Sequence, residues 1–291
     1  MRHGWALLAA AAFSLEGLLA RGAMATGTHP VTALWLRFLL AWMGVAATQL
    51  LRPPRDGHLA SKDRYVLLTA GVGYAATALL LFAAFQRIPT SLAILLLYLY
   101  PALVAVGSHL LGRDRLTPRH AMGLLLAFSG LLLLTGASFK GSFPGMLLAF
   151  GAALTNALTL LLQDPVMERV SAYRALTPLL GSATLTSLFL ALALGKPLFP
   201  QEGSWPYLVG LALFPSVVAI LGVNRSLQVL GASRTALLLS LEPPLAALWG
   251  ALWLDERWTL WQLVGGLLIV LGVTWVQTED GESDGMKGAA G

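Results

Sequence analysis

The sequence predicts an all-α polytopic membrane protein, with ten transmembrane helices arranged as two inverted five-helix repeats. Three observations carry that prediction. The 291-residue chain is 57% hydrophobic and only 11% charged, whereas soluble domains carry about 25% charged residues. Ten stretches are apolar over roughly the 20 residues a helix needs to cross hydrocarbon. The tail of the chain also repeats its middle: Gln86–Gly130 aligns without a gap to Gln228–Gly272 at an offset of 142, with 16 of 45 positions identical. Eight identities are leucine and carry little in an apolar chain. The informative ones are Gln86/Gln228, Ser91/Ser233, Pro101/Pro243, Ala105/Ala247, Arg115/Arg257, Thr117/Thr259, Gly123/Gly265 and Gly130/Gly272.

The expected spans are 4–25, 30–51, 64–85, 92–111, 120–137, 145–162, 177–194, 207–229, 235–254 and 260–277. Polar and Pro/Gly clusters punctuate them: Arg52-Pro-Pro-Arg-Asp, Gly112-Arg-Asp-Arg, Ser142-Phe-Pro-Gly and Gly195-Lys-Pro. Five spans per half is an odd number, so the second half enters from the opposite side and the repeat is inverted. Repeats of this kind permit two pseudo-equivalent conformations that rock about a site near the midplane. Residues 1–140 form the first repeat, 141–278 the second, and 279–291 a flexible polar tail. With the N-terminus inside, 12 of the 19 Lys and Arg fall in cytoplasmic segments and 5 in outer ones, while Arg37 and Arg225 lie within spans. The excess of basic residues puts loops 52–63, 112–119 and 163–176 and both termini in the cytoplasm.

Taken in order, the spans carry few polar groups. An ionisable residue within a span costs roughly 2.5–3.5 kcal/mol on insertion scales, so each is a functional candidate by default. In the first span Glu16 lies about 13 Å from the outer end, and in the second Arg37 lies about 10 Å from the same side. Their depths suit an ion pair, either as a substrate or proton site or as a structural tie between helices. The third span holds Tyr74 and Thr77. The fourth holds Tyr98 and Tyr100, too deep for simple interface anchors; their spacing of two puts them on opposite helix faces, so at most one lines a cavity. Asn156 in the sixth span aligns within one residue of Glu16 under the repeat. In the eighth and ninth spans Asn224, Arg225 and Glu242 repeat the logic, with Arg225 and Glu242 expected to pair about 7–10 Å from the inner surface. Pro101, Pro243 and Pro244 are candidate hinges, because proline frees backbone carbonyls and kinks helices. Trp249, Trp253, Trp258 and Trp261 read as an outer aromatic belt, and His109 as an interface histidine. The glycine pairs 123/130 and 265/272 read as sites of close helix packing in peripheral fifth and tenth helices.

These motifs carry a resemblance. Leu241-Glu-Pro-Pro-Leu-Ala-Ala-Leu-Trp-Gly-Ala-Leu-Trp-Leu-Asp-Glu-Arg, followed by Gly265-Gly-Leu-Leu-Ile-Val-Leu-Gly, closely resembles the ninth and tenth helices of the EamA family in the drug/metabolite transporter (DMT) superfamily. Tyr100-Pro-Ala-Leu with Gly123 and Gly130 matches in the first half, and His29-Pro-Val-Thr-Ala-Leu-Trp-Leu-Arg-Phe looks like the family's second helix. The first half departs by carrying Tyr100 where the second carries Glu242, and Leu15-Glu-Gly stands where the family usually has tryptophan-glycine. The resemblance implies a ten-helix secondary transporter of the cytoplasmic (inner) membrane that works by alternating access. It implies export of small metabolites, amino acids first among them. The alternative reading is a cationic drug/proton antiporter with Glu16 as its carboxylate.

Composition narrows the rest. The net charge of +5 is scattered among short loops and accompanies no nucleic-acid-binding motif. The chain has no cysteine, which excludes disulfides and Cys-ligated metals. No Gly-x-x-x-x-Gly-Lys-Ser/Thr loop is present, which argues against ATP drive within the chain, and no cofactor or metal is expected. An intramembrane enzyme would need a Ser/His set, paired carboxylates or a metal motif on facing helices, and none is evident. The expected partners are a small-molecule substrate, the lipid bilayer and protons as coupling ion, with the chain a monomer or a weak homodimer.

Overall fold

A computed structural model describes residues 3–54, 59–114, 116–136, 142–253 and 259–288, with side chains described to 276. Every regular element among them is helical: α1 Gly4–Ser14, α2 Glu16–Ala25, α3 Pro30–Leu51, α4 Ser61–Phe85, α5 Thr90–Leu97, α6 Tyr100–Leu110, α7 Pro118–Thr135, α8 Phe143–Met167, α9 Ala172–Ala193, α10 Trp205–Leu211, α11 Ala219–Leu239, α12 Glu242–Trp253 and α13 Leu260–Gly288. A π-helical turn, Ala212–Val218, joins α10 to α11. Eight helical stretches are long and apolar enough to cross a bilayer, and α13 adds a shorter apolar one over Leu260–Val276.

Local sequence sets the starts. Side chains of His29, Thr117, Ser142 and Ser171 accept backbone N–H groups at the first turns of α3, α7, α8 and α9. Proline follows within two positions in α3, α7 and α8, where its missing N–H has no partner to lose.

Three of the expected spans are interrupted. The first breaks at Leu15, between α1 and α2. The fourth breaks at Tyr98–Leu99, between α5 and α6. The expected ninth span, 235–254, is not one helix. Its first part is continuous with α11, which bends at Gly231 (φ 76°, ψ 176°), and it breaks again at Ser240–Leu241 before α12. A side chain rarely tolerates the Gly231 conformation. The Asp164 carboxylate accepts the Ala232 N–H beyond it and so caps the new segment. Helix also runs beyond the expected end of α13 at 277, to Gly288.

The two breaks at 98–99 and 240–241 follow the repeat hydrogen bond by hydrogen bond. Leu99 N–H reaches back three residues to the Leu96 carbonyl, as Leu241 N–H does to Leu238 (3.2 and 3.1 Å). Leu103 then bonds to Leu99 as Leu245 bonds to Leu241 (3.1 and 3.2 Å). Between them stand Pro101 and Pro243, which lack the N–H that would continue the α-helical ladder.

Packing is equally regular. α4 packs on α8 and α9, α3 on α9 and on the π turn, and α1 on α11. α5 and α6 lie against α8, while α12 lies against α1 and α2. α7 and α13 run antiparallel and pack chiefly on each other. Their seam is glycine. A methyl group on Gly130 would lie 2.5 Å from the Gly265 carbonyl oxygen, and one on Gly272 would lie 2.6 Å from that of Gly123. Such backbone approach is available only to glycine.

Side-chain bonds group the loops at two ends. At one end Asp63 pairs with Arg169 (2.8 Å), Gln49 Nε2 donates to Tyr173 O (2.6 Å), Arg113 donates to Leu161 O (2.6 Å), and Gln228 Nε2 donates to Met167 O and Val170 O. The Asp63 carboxylate, bonded to the guanidinium, holds the Arg169 pKa above its usual value. At the other end Ser204 bonds Thr26 and Thr28, Thr32 donates to Pro197 O (2.5 Å), and Ser142 donates to Arg87 O (3.5 Å).

Candidate functional site

The site forms where the interrupted helices meet. Counting from Ala232, where helix resumes after Gly231, Glu242 lies about 15 Å along the axis at 1.5 Å per residue. Tyr100, counted from Thr90, lies at the same depth. Both stand near the middle of the apolar thickness, at the starts of α12 and α6. Tyr98 donates its hydroxyl to the Glu242 carboxyl group, and Glu16 approaches the same pair closely enough to repel Glu242. Tyr100 is buried, with its ring 5.8 Å from that of Tyr98 at 49°, and it neighbours both Glu242 and Tyr74.

This overturns one expectation. Helical spacing put Tyr98 and Tyr100 on opposite faces, but the break falls between them, so helical phase does not carry across and both rings face one region.

Glu16 opens α2 immediately after the break at Leu15, where a negative charge suits the helix N-terminus. Arg37 Nη1 donates to Glu16 Oε1 at 2.5 Å, with the arginine side chain 10% exposed and the glutamate 34%. The guanidinium also lies 4.7 Å from the centroid of Phe38, so the ion pair anticipated from matched depths forms across α2 and α3.

On the α4 side, Gln163 Nε2 donates to the Tyr74 hydroxyl (3.4 Å) and to Thr159 O (3.0 Å). Thr77 sits one turn from Tyr74 on the same face. The atoms Thr77 Oγ1, Gln163 Oε1 and Arg37 Nε are buried without a hydrogen-bond partner among the described residues.

Other candidates fall elsewhere. Arg225 does not pair with Glu242: it is exposed and donates to Gln228 Oε1 (3.2 Å) one turn away. The helix after Gly231 begins three residues earlier than the sequence suggested, which sinks Glu242 about 5 Å deeper and out of reach. Asn224 is fully buried and donates to Ala172 O (3.3 Å), a tie between α11 and the start of α9. Asn156 is half-buried on α8. His109 is exposed beside the Asp114 carbonyl (3.3 Å).

Two participants escaped the sequence reading. Gln163 lies past the expected end of the sixth span at 162, but α8 continues through Pro165 to Met167 and carries it. Trp249, expected in the outer belt, instead donates its indole N–H to Ser14 Oγ (2.8 Å) beside the α1–α2 break, with its ring stacked on Trp253 (5.0 Å). Trp253 and Trp261 are exposed, as a belt requires, and Trp258 lies outside the described residues.

Behind the two breaks, between α6, α7 and α13, runs a groove of about 370 Å³. Tyr98 and Ser240 are its only polar lining residues among those described.

Comparison with known proteins places this architecture. A solved crystal structure superposes with a TM-score of 0.81 over 94% of this chain and 96% of its own, at 20% identity, which establishes shared fold. An uncharacterized transporter of Archaeoglobus fulgidus is 28% identical over 275 residues, covering 94% of this chain and 96% of that protein. The uncharacterized transporter YdfC of Bacillus subtilis is 25% identical over 211 residues, 72% and 69% of the two chains. The EamA-like transporter family model matches residues 3–136 and again 143–278. With nearly every residue covered by those two matches, the chain is a multi-pass membrane protein that belongs to the EamA-like transporter family.

Proposed function

We propose that the protein is a secondary transporter that exports small metabolites, amino acids first among them, by alternating access across the cytoplasmic membrane. The observation that carries this reading is the gathering of Glu16, Tyr98, Tyr100 and Glu242 at three helix interruptions in mid-span. Irregular backbone is tolerated at membrane depth where protein or a cavity surrounds it, and transporters place substrate sites there.

The inverted arrangement, with repeats 1–140 and 141–278 and the tail beyond, is supported by packing. Exchanging the halves carries the α4–α8 contact onto α11–α1, the α3–α9 contact onto itself and the α7–α13 contact onto itself. Cytoplasmic termini are supported by the bonds that hold Asp63 to Arg169, Arg174 to the Pro54 carbonyl and Arg113 to the Leu161 carbonyl at one end, the side the basic residues mark as inner. Single cysteines introduced at Ser61 and Ser142 are expected to label from opposite sides of intact cells, and labelling of both from outside overturns the inverted topology.

The test of function is a proteoliposome screen of amino acids, nucleosides and lipophilic cations with and without a pH gradient. Accumulation of an amino acid supports the reading. Transport of none, or of lipophilic cations alone, removes it. The Arg37 bond to Glu16 counts against Glu16 as the carboxylate of a cation/proton antiporter, because the adjacent guanidinium already supplies its counter-charge.

A further inference from the structure

The groove behind the two breaks is lined by none of α2, α3 and α4, the helices that carry Glu16, Arg37 and Tyr74. α6 packs on α8 and α11 while α7 packs on α13, and a slot opens between α6 and α7. Its floor is Ala127 and Leu131 of α7 and Ile269 of α13, all buried. Its lips are Val106 of α6 and Leu125 of α7, 46% and 62% exposed, so the slot is open along its side. From Ala121 to Leu131 it follows α7 for about 15 Å at 1.5 Å per residue. That is the depth of one leaflet, half of the ~30 Å hydrocarbon core. One end opens at Leu116, just before α7 starts, and the other stops in mid-span on Tyr98 and Ser240.

The repeat supplies a contrast. At the offset of 142, Ala121 and Ala127 are matched by Leu263 and Ile269, and Ala102 by Pro244. In that half α12 closes on α13: a methyl group on Gly266 would lie 3.7 Å from Pro244 Cβ, ordinary contact. The first half thus keeps small residues and an open slot where the second has bulk and contact. An apolar slot left empty forfeits the dispersion contacts of its lining. In a multi-pass membrane protein the molecules that reach a slot open sideways at this depth are lipids. The chemistry of the open end favours one kind. The stretch 112–119 carries Arg113, Arg115 and Arg119 against Asp114 alone, a basic rim of the sort that draws anionic headgroups.

We propose that the groove is a binding site for one acyl chain of an anionic phospholipid, with the headgroup at the Leu116 end and the chain running in to Tyr98 and Ser240. On the topology proposed above, that lipid belongs to the inner leaflet. The end of the chain rests against both helix breaks, so the lipid supports Tyr98 and Ser240 from a side that no other helix covers within the slot.

The test uses the full-length protein in phosphatidylcholine vesicles that contain a phosphatidylglycerol probe. The probe carries a diazirine either on the last carbon of one acyl chain or close to the glycerol. Photolysis marks the residues it touches, and peptide mass spectrometry identifies them. The chain-end probe should mark the surroundings of Leu99 and Phe128, the glycerol-end probe those of Leu116 and Ala121. Both should exceed the marking of the matching α12–α13 face. Ala121→Leu, which copies the second half, should lose that excess. Ala102→Leu fills the slot from the α6 side and should lose it too, which decides the matter if Ala121→Leu fails to fold. Equal marking of the two faces shows only the general lipid coat and overturns the proposal, as does an excess that survives in both variants or a depth order that does not follow the position of the diazirine. The same excess from a phosphatidylcholine probe overturns the anionic headgroup, and marking by a diazirine fatty acid that phosphatidylglycerol does not displace assigns the groove to another amphiphile and overturns the proposal. No reading depends on transport, so failure of every solute in the uptake screen leaves this result standing and removes only the transporter reading.

Discussion

The α5–α6 segment and the Gly231–α12 segment share a backbone and differ in chemistry. At an offset of 142 both break at the same place, with the same three-residue hydrogen bonds and a proline just beyond. Yet Tyr98 and Tyr100 in one stand where Ser240 and Glu242 stand in the other. The backbone irregularity belongs to the repeat, whereas the polar groups at it are specific to each half. The difference makes them complementary: the hydroxyl of one break donates to the carboxyl of the other. Two identical copies would have set carboxylate against carboxylate or phenol against phenol.

The largest test of that asymmetry lies in the ion pair. Glu16→Gln removes the charge opposite the nearly buried Arg37 guanidinium but keeps an oxygen acceptor, and the glutamate is 34% exposed, so the loss should be about 1–3 kcal/mol rather than the full cost of a buried pair. Asn156, close to Glu16 in the repeat, makes no comparable bond among the described residues, so Asn156→Ala should cost less than about 1 kcal/mol. Thermal unfolding in detergent compares the two, and equal losses would erase the distinction between the halves.

Next are the prolines. Pro101→Ala restores an N–H opposite the Leu97 carbonyl and should add about 0.5–1.5 kcal/mol of stability while slowing transport. Pro243→Ala should do less, because Pro244 still interrupts α12. The reverse order would show that the second break has a different cause.

Ser14→Ala removes the acceptor of the Trp249 indole and should cost about 0.5–1.5 kcal/mol. Because the Trp249 indole N–H donates to Ser14 Oγ, the loss should appear together with a shift in Trp249 emission.

The smallest effect concerns His29, whose Nδ1 accepts the Val31 N–H at the start of α3 (3.2 Å). Desolvation, with Lys196 nearby, holds its pKa below 6.5. The unfolded chain therefore binds the proton more readily. The stabilising contribution is complete above 6.5 and is lost as pH falls toward the lowered folded value. His29→Asn keeps a capping group and removes the titration, so its unfolding midpoint should change less than that of the wild type between about pH 8 and 5.

Much of this was legible in the sequence because the bilayer makes it so. Hydrocarbon forces long apolar runs and small residues at helix seams, and Gly123, Gly130, Gly265 and Gly272 were readable on that ground alone. The Glu16–Arg37 pair followed from depth counting, since both residues lie in helices entered from one side. Depth counting failed for Arg225 and Glu242 because it needs the correct helix start, and Gly231 sets that start by a backbone conformation rather than by a polar loop. Periodicity misplaces Tyr98 and Tyr100 for a related reason: it holds only within a helix, and the break at 98–99 separates them. The Leu15 break carries no proline, and Gln163 was hidden by ending a helix at a polar residue that the fold buries.

The glycine seam between α7 and α13 has a consequence for assembly. It is the surface on which the last helix of one half meets the last helix of the other, and each contributes the same two glycines seven residues apart. A chain cut within 137–141 should therefore yield two polypeptides that find each other when co-expressed. Either one alone presents a bare glycine stripe that its own duplicate can fill.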